Sequence, residues 1–412
     1  MSEPLDRVTP VAVGRGALPR YVAAATLARG ADTGATVRVV LLATVPEVGA
    51  ARPALLGGLL ATCLTAPHLL GPLVARWLDR APDGRGPLTA GFVTYAAALR
   101  TAALLLGRTP VGVPAALLVL AGACGPLLTG GLSSRLAGLL APDERSQRRG
   151  QGWDAVTYGL GSSAGPGAVA ALAALVGPRN SVLGLSVATL LAAALVGTLP
   201  ARVPTGRRPA RTTSAHGVLR ALLGPGPLRR VTAVTTLSAL TGGTLSGLAI
   251  ALATDLDRPA VSGALLAAAY GGGNLAAALL VTAFPLTGEP ERLTVRWVAL
   301  AAVGIALCAA EPTFGVAVVA FALAGAATAP LFAATLAARS TYAPDAVRAQ
   351  VFVSTAALRG AAGSLGTGLA GALVPLGPRL LLVAGASAVA ATASARALPD
   401  RRPDSTSARP SL

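Results

Sequence analysis

The amino-acid sequence predicts an all-α polytopic membrane protein with twelve transmembrane helices in two pseudo-symmetric six-helix bundles. Three observations support this prediction: the composition, the positions of the arginines, and a repeat between the two halves of the chain. Of the 412 residues, 53% are hydrophobic and 12% are charged, whereas soluble globular domains are about 25% charged. The mean hydropathy is +0.65. A chain of this composition is expected in a lipid bilayer.

Twelve apolar segments are long enough to cross about 30 Å of hydrocarbon, which takes close to 20 helical residues. Clusters of Arg, Pro, Asp and Gly separate them. The first contains Arg29, Asp32 and Arg38 in its interior and the eighth contains YGGGN at 270–274, so these two depart most from an ideal span. The predicted spans are 20–45, 53–76, 87–107, 111–134, 153–177, 180–199, 230–254, 260–285, 293–310, 313–338, 347–375 and 378–397.

The arginines are concentrated in every second loop of the chain, which would place most of them on one side of the membrane. All 34 basic residues are Arg, and if the N-terminus is inside, 25 lie in inside segments, 5 in outside loops and 4 within spans. Because cytoplasmic loops hold the basic excess, both termini are predicted to be cytoplasmic. The bias toward Ala, Gly, Leu and Arg is typical of a GC-rich bacterial genome, so the predicted location is the bacterial plasma membrane.

The net charge of +17 does not indicate nucleic-acid binding, because aromatic residues make up only 3% of the chain and the arginines lie between apolar runs. The longest polar gap, 200–229, is rich in arginine and contains no acid. We interpret it as a solvated cytoplasmic linker that touches anionic headgroups. It separates an N-terminal six-helix bundle at 1–199 from a C-terminal bundle at 230–397, and 398–412 is predicted to be a disordered cytoplasmic tail.

The two halves repeat each other in corresponding helices. GLGSSAGPGAVAAL at 159–172 in the fifth span aligns with GAAGSLGTGLAGAL at 360–373 in the eleventh, at a shift of 201. Upstream, APDERSQ at 141–147 matches APDAVRA at 343–349 at a shift of 202. Some secondary transporters are built from two parallel repeats of six helices.

The loop after the second predicted span contains ARWLDRAPDGR at 75–85, which resembles the cytoplasmic-loop signature G-x-x-x-D-R-x-G-R-R of the major facilitator superfamily. Asp79 and Arg80 occupy its Asp-Arg core, whereas Ala75 replaces the usual Gly and Gly84 is displaced. The resemblance implies that Asp79, with Arg80, is a conformational latch that closes the cytoplasmic side. The alternative is a helix-capping residue beside arginines that set the topology.

The fifth span is similar to the exporter-type signature of the same family, G-x8-G-x3-G-P-x2-G-G. The matching residues are Gly152, Gly161, Gly165 and Pro166, followed by Val169 and Ala170 where the signature has Gly. Such spacing permits close helix approach and a bend, so Gly161, Gly165 and Pro166 are expected to shape helix packing. Ordinary small-residue packing is the alternative. The mid-helix Arg that many proton-coupled exporters carry in the fourth span is absent, because Arg135 lies at its cytoplasmic end.

Charges within the spans need an explanation, because each costs at least about 2.5 to 3.5 kcal/mol at a helix centre. Asp32 lies near the membrane midplane, and Arg29, three residues before it, shares a helix face, so the two are predicted to neutralise each other. Arg359 lies at a similar depth in the other half. We expect Asp32, Arg29 and Arg359 to form a coupling or substrate-binding site; a purely structural ion pair is the alternative.

The remaining polar residues within the spans receive simpler interpretations. Arg38 lies near the outer boundary and is expected to snorkel, as Arg100 could also do. His68 is interpreted as a hydrogen-bonded buried imidazole rather than a proton relay. Asp154, at the start of the fifth predicted span, is interpreted as a partner of the helix dipole.

These features predict a secondary transporter that works by alternating access, exports a small amphipathic or drug-like molecule, and couples to protons through Asp32. An importer of a small metabolite and a transporter-like protein without transport activity, such as a lipid-handling or assembly factor, are the alternatives. No enzyme motif such as HExxH or GxSxG lies at a membrane face, so no enzymatic activity, cofactor or metal is predicted. The expected partners are the substrate, the lipid bilayer and protons, with no nucleic acid, and a monomer is expected.

Overall fold

The computed structural model describes residues 16–43, 45–51, 53–81, 83–177, 180–201, 220, 222–224, 226–258, 262–310, 313–344, 347–373 and 376–394. Most of the predicted linker and the whole predicted tail lie outside these residues, so the predicted domain boundaries stay predictions. The helices are α1 (Ala17–Ala43), α2 (Pro53–Thr65), α3 (Gly71–Arg80), α4 (Arg85–Leu105), α5 (Gly112–Pro126), α6 (Leu132–Leu136), α7 (Glu144–Val176), α8 (Ser181–Gly197), α9 (Pro227–Asp255), α10 (Gly263–Ala283), α11 (Pro290–Leu307), α12 (Phe314–Tyr342), α13 (Arg348–Leu373) and α14 (Pro378–Ser394).

Two of the spans are interrupted helices. A 3-10 turn, Ala66–Leu70, joins α2 to α3, and a π turn, Leu127–Gly131, joins α5 to α6. Pro67 lies within the first turn and Pro126 directly precedes the second, and the missing N–H of each proline disturbs the helical ladder. With these joined segments counted once, the described residues form twelve spans, which confirms the predicted fold class.

Length and composition alone qualify five of the described helical segments to cross a membrane. These are Leu56–Leu78, Arg85–Leu105, Gly112–Leu139, Leu265–Ala283 and Phe314–Tyr342. The last two lie in the C-terminal half, and the segment at 265–283 includes the YGGGN sequence, which remains helical within α10.

The fifth span begins earlier than the sequence predicts. Asp143 caps α7, because its Oδ1 accepts a hydrogen bond from the Ser146 N–H at 2.8 Å. The polar turn after it is therefore helical, and Asp154 lies about 15 Å inside the helix. The interpretation of Asp154 as a dipole partner at the helix start is wrong for this reason.

Each half is organised around the packing of its fifth span on its first span. In the N-terminal half, α7 packs along α1, where Gly165 faces the backbone of Gly30. In the C-terminal half, α13 packs along α9, where Gly366 faces the backbone of Leu240. Gly165 and Gly366 are aligned by the sequence repeat, so the repeat corresponds to one packing arrangement used twice.

Contacts between the two bundles lie toward one end of the molecule. We call the end where α1 begins and α8 ends the linker face, and the other end the opposite face. A Cβ on Gly130 of the π turn would lie 2.5 Å from the carbonyl oxygen of Phe352, and one on Gly152 would lie 3.1 Å from Thr282. The Arg148 guanidinium donates to the Gly288 carbonyl oxygen at 2.7 Å.

Toward the opposite face, α7 and α13 pack on helices of their own bundle and not on the other bundle. There Gly165 packs on α1 and Gly366 packs on α9, so both helices contact their own bundle. Within the part of the chain that the structure describes, the two bundles are therefore closed against each other at the linker face.

Substitution Gly165→Val should lower the midpoint of thermal unfolding of the detergent-purified protein. The added Cβ would collide with the Gly30 carbonyl and lie 2.6 Å from the Thr33 hydroxyl, and overpacking of this kind costs about 1 to 3 kcal/mol. Gly167→Val is the matched control, because no atom lies within 4 Å of a Cβ at that position of the same helix. Equal losses of stability in the two variants would contradict close packing at Gly165.

Candidate functional site

Asp154 accepts hydrogen bonds from three neighbouring side chains in the middle of the N-terminal bundle. Its Oδ1 lies 2.5 Å from the Tyr21 hydroxyl and 2.7 Å from Nη1 of Arg29, and its Oδ2 lies 2.8 Å from the Ser133 hydroxyl. The Arg29 guanidinium also donates to the Thr157 hydroxyl, to the Asp154 carbonyl oxygen at 3.0 Å and to Ser133 at 2.8 Å. We call these five residues the Asp154 network.

The Asp154 network is sealed from solvent. The side chains of Arg29 and Asp154 are each 1% exposed, and Tyr21, Ser133 and Thr157 are also buried. Burying an ion pair is tolerated when its remaining hydrogen-bonding groups are satisfied, and here the carboxylate has three donors. The network ties α1, α6 and α7 together.

The predicted pairing of Arg29 with Asp32 is wrong. Spacing of three residues places two side chains on neighbouring parts of a helix surface, but here Arg29 points toward α7 and Asp32 toward His68 in the 3-10 turn after α2. The partner of Arg29 is Asp154, 125 residues away in sequence, so no local pattern could identify it. The feature of the sequence that could have identified Asp154 as the partner is its negative charge within an apolar segment.

Asp32 pairs with His68 instead. Their Oδ1 and Nε2 atoms are 3.5 Å apart, and the side chains are 13% and 20% exposed. The buried Tyr95 of α4 also interacts electrostatically with Asp32. Gly125 of α5 leaves the space that the His68 ring occupies. A carboxylate and an imidazole thus meet near the middle of the N-terminal bundle, and both are more exposed than the Asp154 network.

Arg359 lies at the interface between the two bundles. Its guanidinium carbon is 4.3 Å from the ring centroid of Phe332 and 5.4 Å from that of Tyr158. The two rings meet edge to face at 4.9 Å, and Arg29 lies 3.6 Å from the Tyr158 centroid on the N-terminal side. The structure therefore brings Arg29 and Arg359 to one aromatic pair, while the described contacts of Asp32 lie with the 3-10 turn after α2 and with α4.

The sequence interpretation did not single out Arg339 of α12. Its side chain is 2% exposed, and its Nη2 donates to Thr335 at 3.0 Å and to Thr235 of α9 at 3.2 Å. It also lies 5.9 Å from the Phe332 centroid. Because Arg339 is close to a helix end, the sequence alone suggested a topogenic residue at the membrane surface.

The two arginines near the opposite face behave differently from each other. Arg38 is 1% exposed, so its predicted snorkelling is wrong. It is enclosed by apolar residues of neighbouring helices, including Leu60, Leu99 and Leu118. Arg100, by contrast, is exposed.

The loop at the linker face that resembles the family signature is held by Asp83. Asp79 belongs to the last turn of α3, but its side chain lies outside the described residues, and Arg80 is exposed; the latch role of both stays a prediction. The Asp83 carboxylate accepts from Nε of Arg85 at 2.5 Å and lies 3.6 Å from Nη2 of Arg135. Partial burial would raise the pKa of Asp83, but hydrogen bonds from Arg85 outweigh it and the pKa is lowered.

Comparison with known proteins identifies the architecture. No protein-family model and no curated protein matches the sequence, whereas solved structures match nearly its whole length. The human organic anion transporter MFSD10 (TETRAN) has a TM-score of 0.69 at 16% identity, covering 92% of this chain and 99% of that one. The proton:xylose symporter XylE has a TM-score of 0.68 at 14% identity, covering 92% and 94%.

A third solved structure extends the likeness. A bacterial homologue of the iron transporter ferroportin, in an outward-facing state, has a TM-score of 0.69 at 16% identity, with 92% of this chain and 98% of that chain covered. The polytopic membrane protein described here has the major facilitator superfamily fold, as the sequence resemblance implied.

Substitution Asp154→Asn should destabilise the protein strongly. It leaves the buried Arg29 guanidinium without a counter-charge, and breaking a buried pair on one side costs about 3 to 5 kcal/mol. The measurement is thermal unfolding in lipid nanodiscs, with Arg100→Gln as the exposed control.

A double variant makes this prediction sharper. Arg29→Gln combined with Asp154→Asn removes both charges, so it should lose less stability than the sum of the single changes. Simple additivity of the two losses would show that the contact contributes no coupling energy.

Proposed function

We propose that this protein is a secondary transporter that works by alternating access and exports a small amphipathic or drug-like molecule. The observation that supports it best is the one-sided closure of the two bundles. Contacts such as Gly130 with Phe352 and Gly152 with Thr282 join the halves toward the linker face. A central site between such halves would be reached from the opposite face.

The arginine distribution supports a cytoplasmic linker face. The predicted inside segments contain 25 of the 34 arginines, and cytoplasmic loops hold such an excess. The arrangement then corresponds to an outward-open state. In the inward-open state the contacts at Gly130, Gly152 and Arg148 would separate, and the latch proposed for Asp79 and Arg80 would lie beside them.

Close backbone contact at the bundle interface offers a way to test alternating access. Gly130→Leu should prevent closure of the linker face, because its Cβ would meet the backbone of Phe352 in the other bundle. We expect such a protein to fold, to lose transport of a fluorescent amphipathic dye, and to admit thiol reagents from the linker face. The readout is labelling of Ser340→Cys, which lines the space between the bundles, in a background without native cysteines.

Gly138→Leu is the matched control, because it lies in the same span and a Cβ there meets nothing within 4 Å. Labelling of Ser340→Cys that stays at the wild-type rate in Gly130→Leu would argue against a closed linker face. Loss of dye transport in both variants would argue against a specific effect.

We further propose that Asp32 couples transport to protons, with His68 as its partner. The two side chains lie 3.5 Å apart with partial exposure, so protons can reach them, and Tyr95 is the third polar neighbour. Asp154 is a weaker candidate because its carboxylate is completely buried and already accepts hydrogen bonds from three donors. Arg29 then acts by positioning Tyr158 at the bundle interface, Gly161 and Gly165 keep α7 close to α1, and Pro166, which lies inside α7, is proposed to bend it.

Asp32→Asn should abolish dye movement driven by an imposed pH gradient in proteoliposomes while preserving energy-independent counterflow. The amide keeps the size of the carboxylate but cannot exchange a proton. Asp255→Asn, at the end of α9, is the control and should keep the gradient dependence of the wild type. Full gradient dependence in Asp32→Asn would rule out this coupling role. Failure of counterflow in the wild type, over a broad panel of substrates, would argue against transport itself.

A further inference from the structure

The C-terminal bundle places two arginines at the bundle interface without acids to balance them. Among the described residues, neither Arg339 nor Arg359 forms an ion pair with a carboxylate. The described acids of this bundle all lie at helix ends or in loops. They are Asp255, Asp257, Glu289 and Glu291.

The acids of the N-terminal bundle that approach the interface are already engaged. Asp154 interacts electrostatically with Arg339, but its carboxylate forms its ion pair with Arg29 at 2.7 Å. Asp32 lies against His68. The charges of Arg29 and Asp154 cancel each other, so Arg339 and Arg359 leave a local excess of two positive charges. Positive charge in a low-dielectric span is costly without a counter-charge, and a bound anion would remove that cost.

The surroundings of the two arginines also suit an apolar body attached to the anion. Phe332 lies 4.3 Å from the Arg359 guanidinium carbon and 5.9 Å from that of Arg339, and Tyr158 completes the aromatic pair. On α13, Gly360, Ala361 and Ser364 follow Arg359 toward the opposite face and are exposed. Arg359 itself is only partly buried, so its guanidinium is open to a solute.

We infer that the substrate is an organic anion, whose carboxylate or sulfonate group is bound by Arg359 and whose aromatic or apolar body packs on Phe332 and Tyr158. This inference rests on the proposed transport function and specifies the class of substrate. A guanidinium offers two parallel N–H donors to such a group. Nη2 of Arg339 already donates to the hydroxyls of Thr235 and Thr335, so Arg339 adds positive potential while Arg359 makes the contact.

The test compares three naphthalene compounds of similar size but different charge. The full-length protein in zwitterionic nanodiscs is titrated with 2-naphthalenesulfonate, with neutral 2-naphthalenemethanol and with cationic 2-naphthylmethylammonium, and the midpoint of thermal unfolding is measured. The anion should raise the midpoint in a saturable manner, whereas the other two should not. Equal stabilisation by the neutral compound, or none by the anion, would overturn the inference.

Variants then locate the site. Arg359→Gln should weaken apparent binding of 2-naphthalenesulfonate about tenfold or more, whereas Arg100→Gln, which changes an exposed arginine, should leave it unchanged. Arg359→Lys keeps the charge but loses the planar fork, so it should bind with intermediate affinity and serves if the Gln variant does not fold. Wild-type affinity in both Arg359 variants would overturn the assignment.

Transport measurements separate this inference from the proposed function. Arg359-dependent binding of the anion without its movement in proteoliposomes would count against transport but support the anion site. Gradient-driven movement of the cationic compound, unaffected by Arg359→Gln, would support transport and overturn the anion site.

Discussion

The buried guanidinium of Arg29 is the group on which the arrangement of the N-terminal bundle depends. It lies about 18 Å into α1, a depth at which a charge must be met by protein groups because water is absent. Asp154 provides the counter-charge, and Ser133 and Thr157 accept further hydrogen bonds. These partners come from α6 and α7, so satisfying one side chain fixes the positions of three helices.

The Asp154 network also positions the aromatic side chain of the N-terminal bundle that lies at the bundle interface. Arg29 lies against one ring, Tyr158, which contacts Phe332 of the other half. At the interface, the N-terminal bundle is electrically neutral because Arg29 is paired with Asp154, whereas the C-terminal bundle contributes the positive charge of Arg359. Pseudo-symmetry of the backbone therefore coexists with asymmetry of charge between the two bundles.

The sequence was sufficient to predict the architecture, because hydropathy and the distribution of arginine depend on the bilayer and on little else. It also predicted correctly that the fifth and eleventh spans are equivalent. It could not predict the partner of Arg29, since local spacing favoured Asp32 and the true partner lies on another helix. The start of α7 was missed because the polar residues before Trp153 resemble a loop, although Asp143 caps a helix there. The buried state of Arg38 depends on neighbouring helices that no single segment reveals.

The close approach at Gly130 has a mechanical consequence. The atoms that it faces, the carbonyl of Phe352 and the Cα of Val353, belong to the backbone. A side chain can yield by changing rotamer, but a helical backbone has no comparable freedom. The two bundles therefore meet backbone to backbone at Gly130, and how closely they approach each other on this side is set by main-chain geometry and not by the softness of the residues between them.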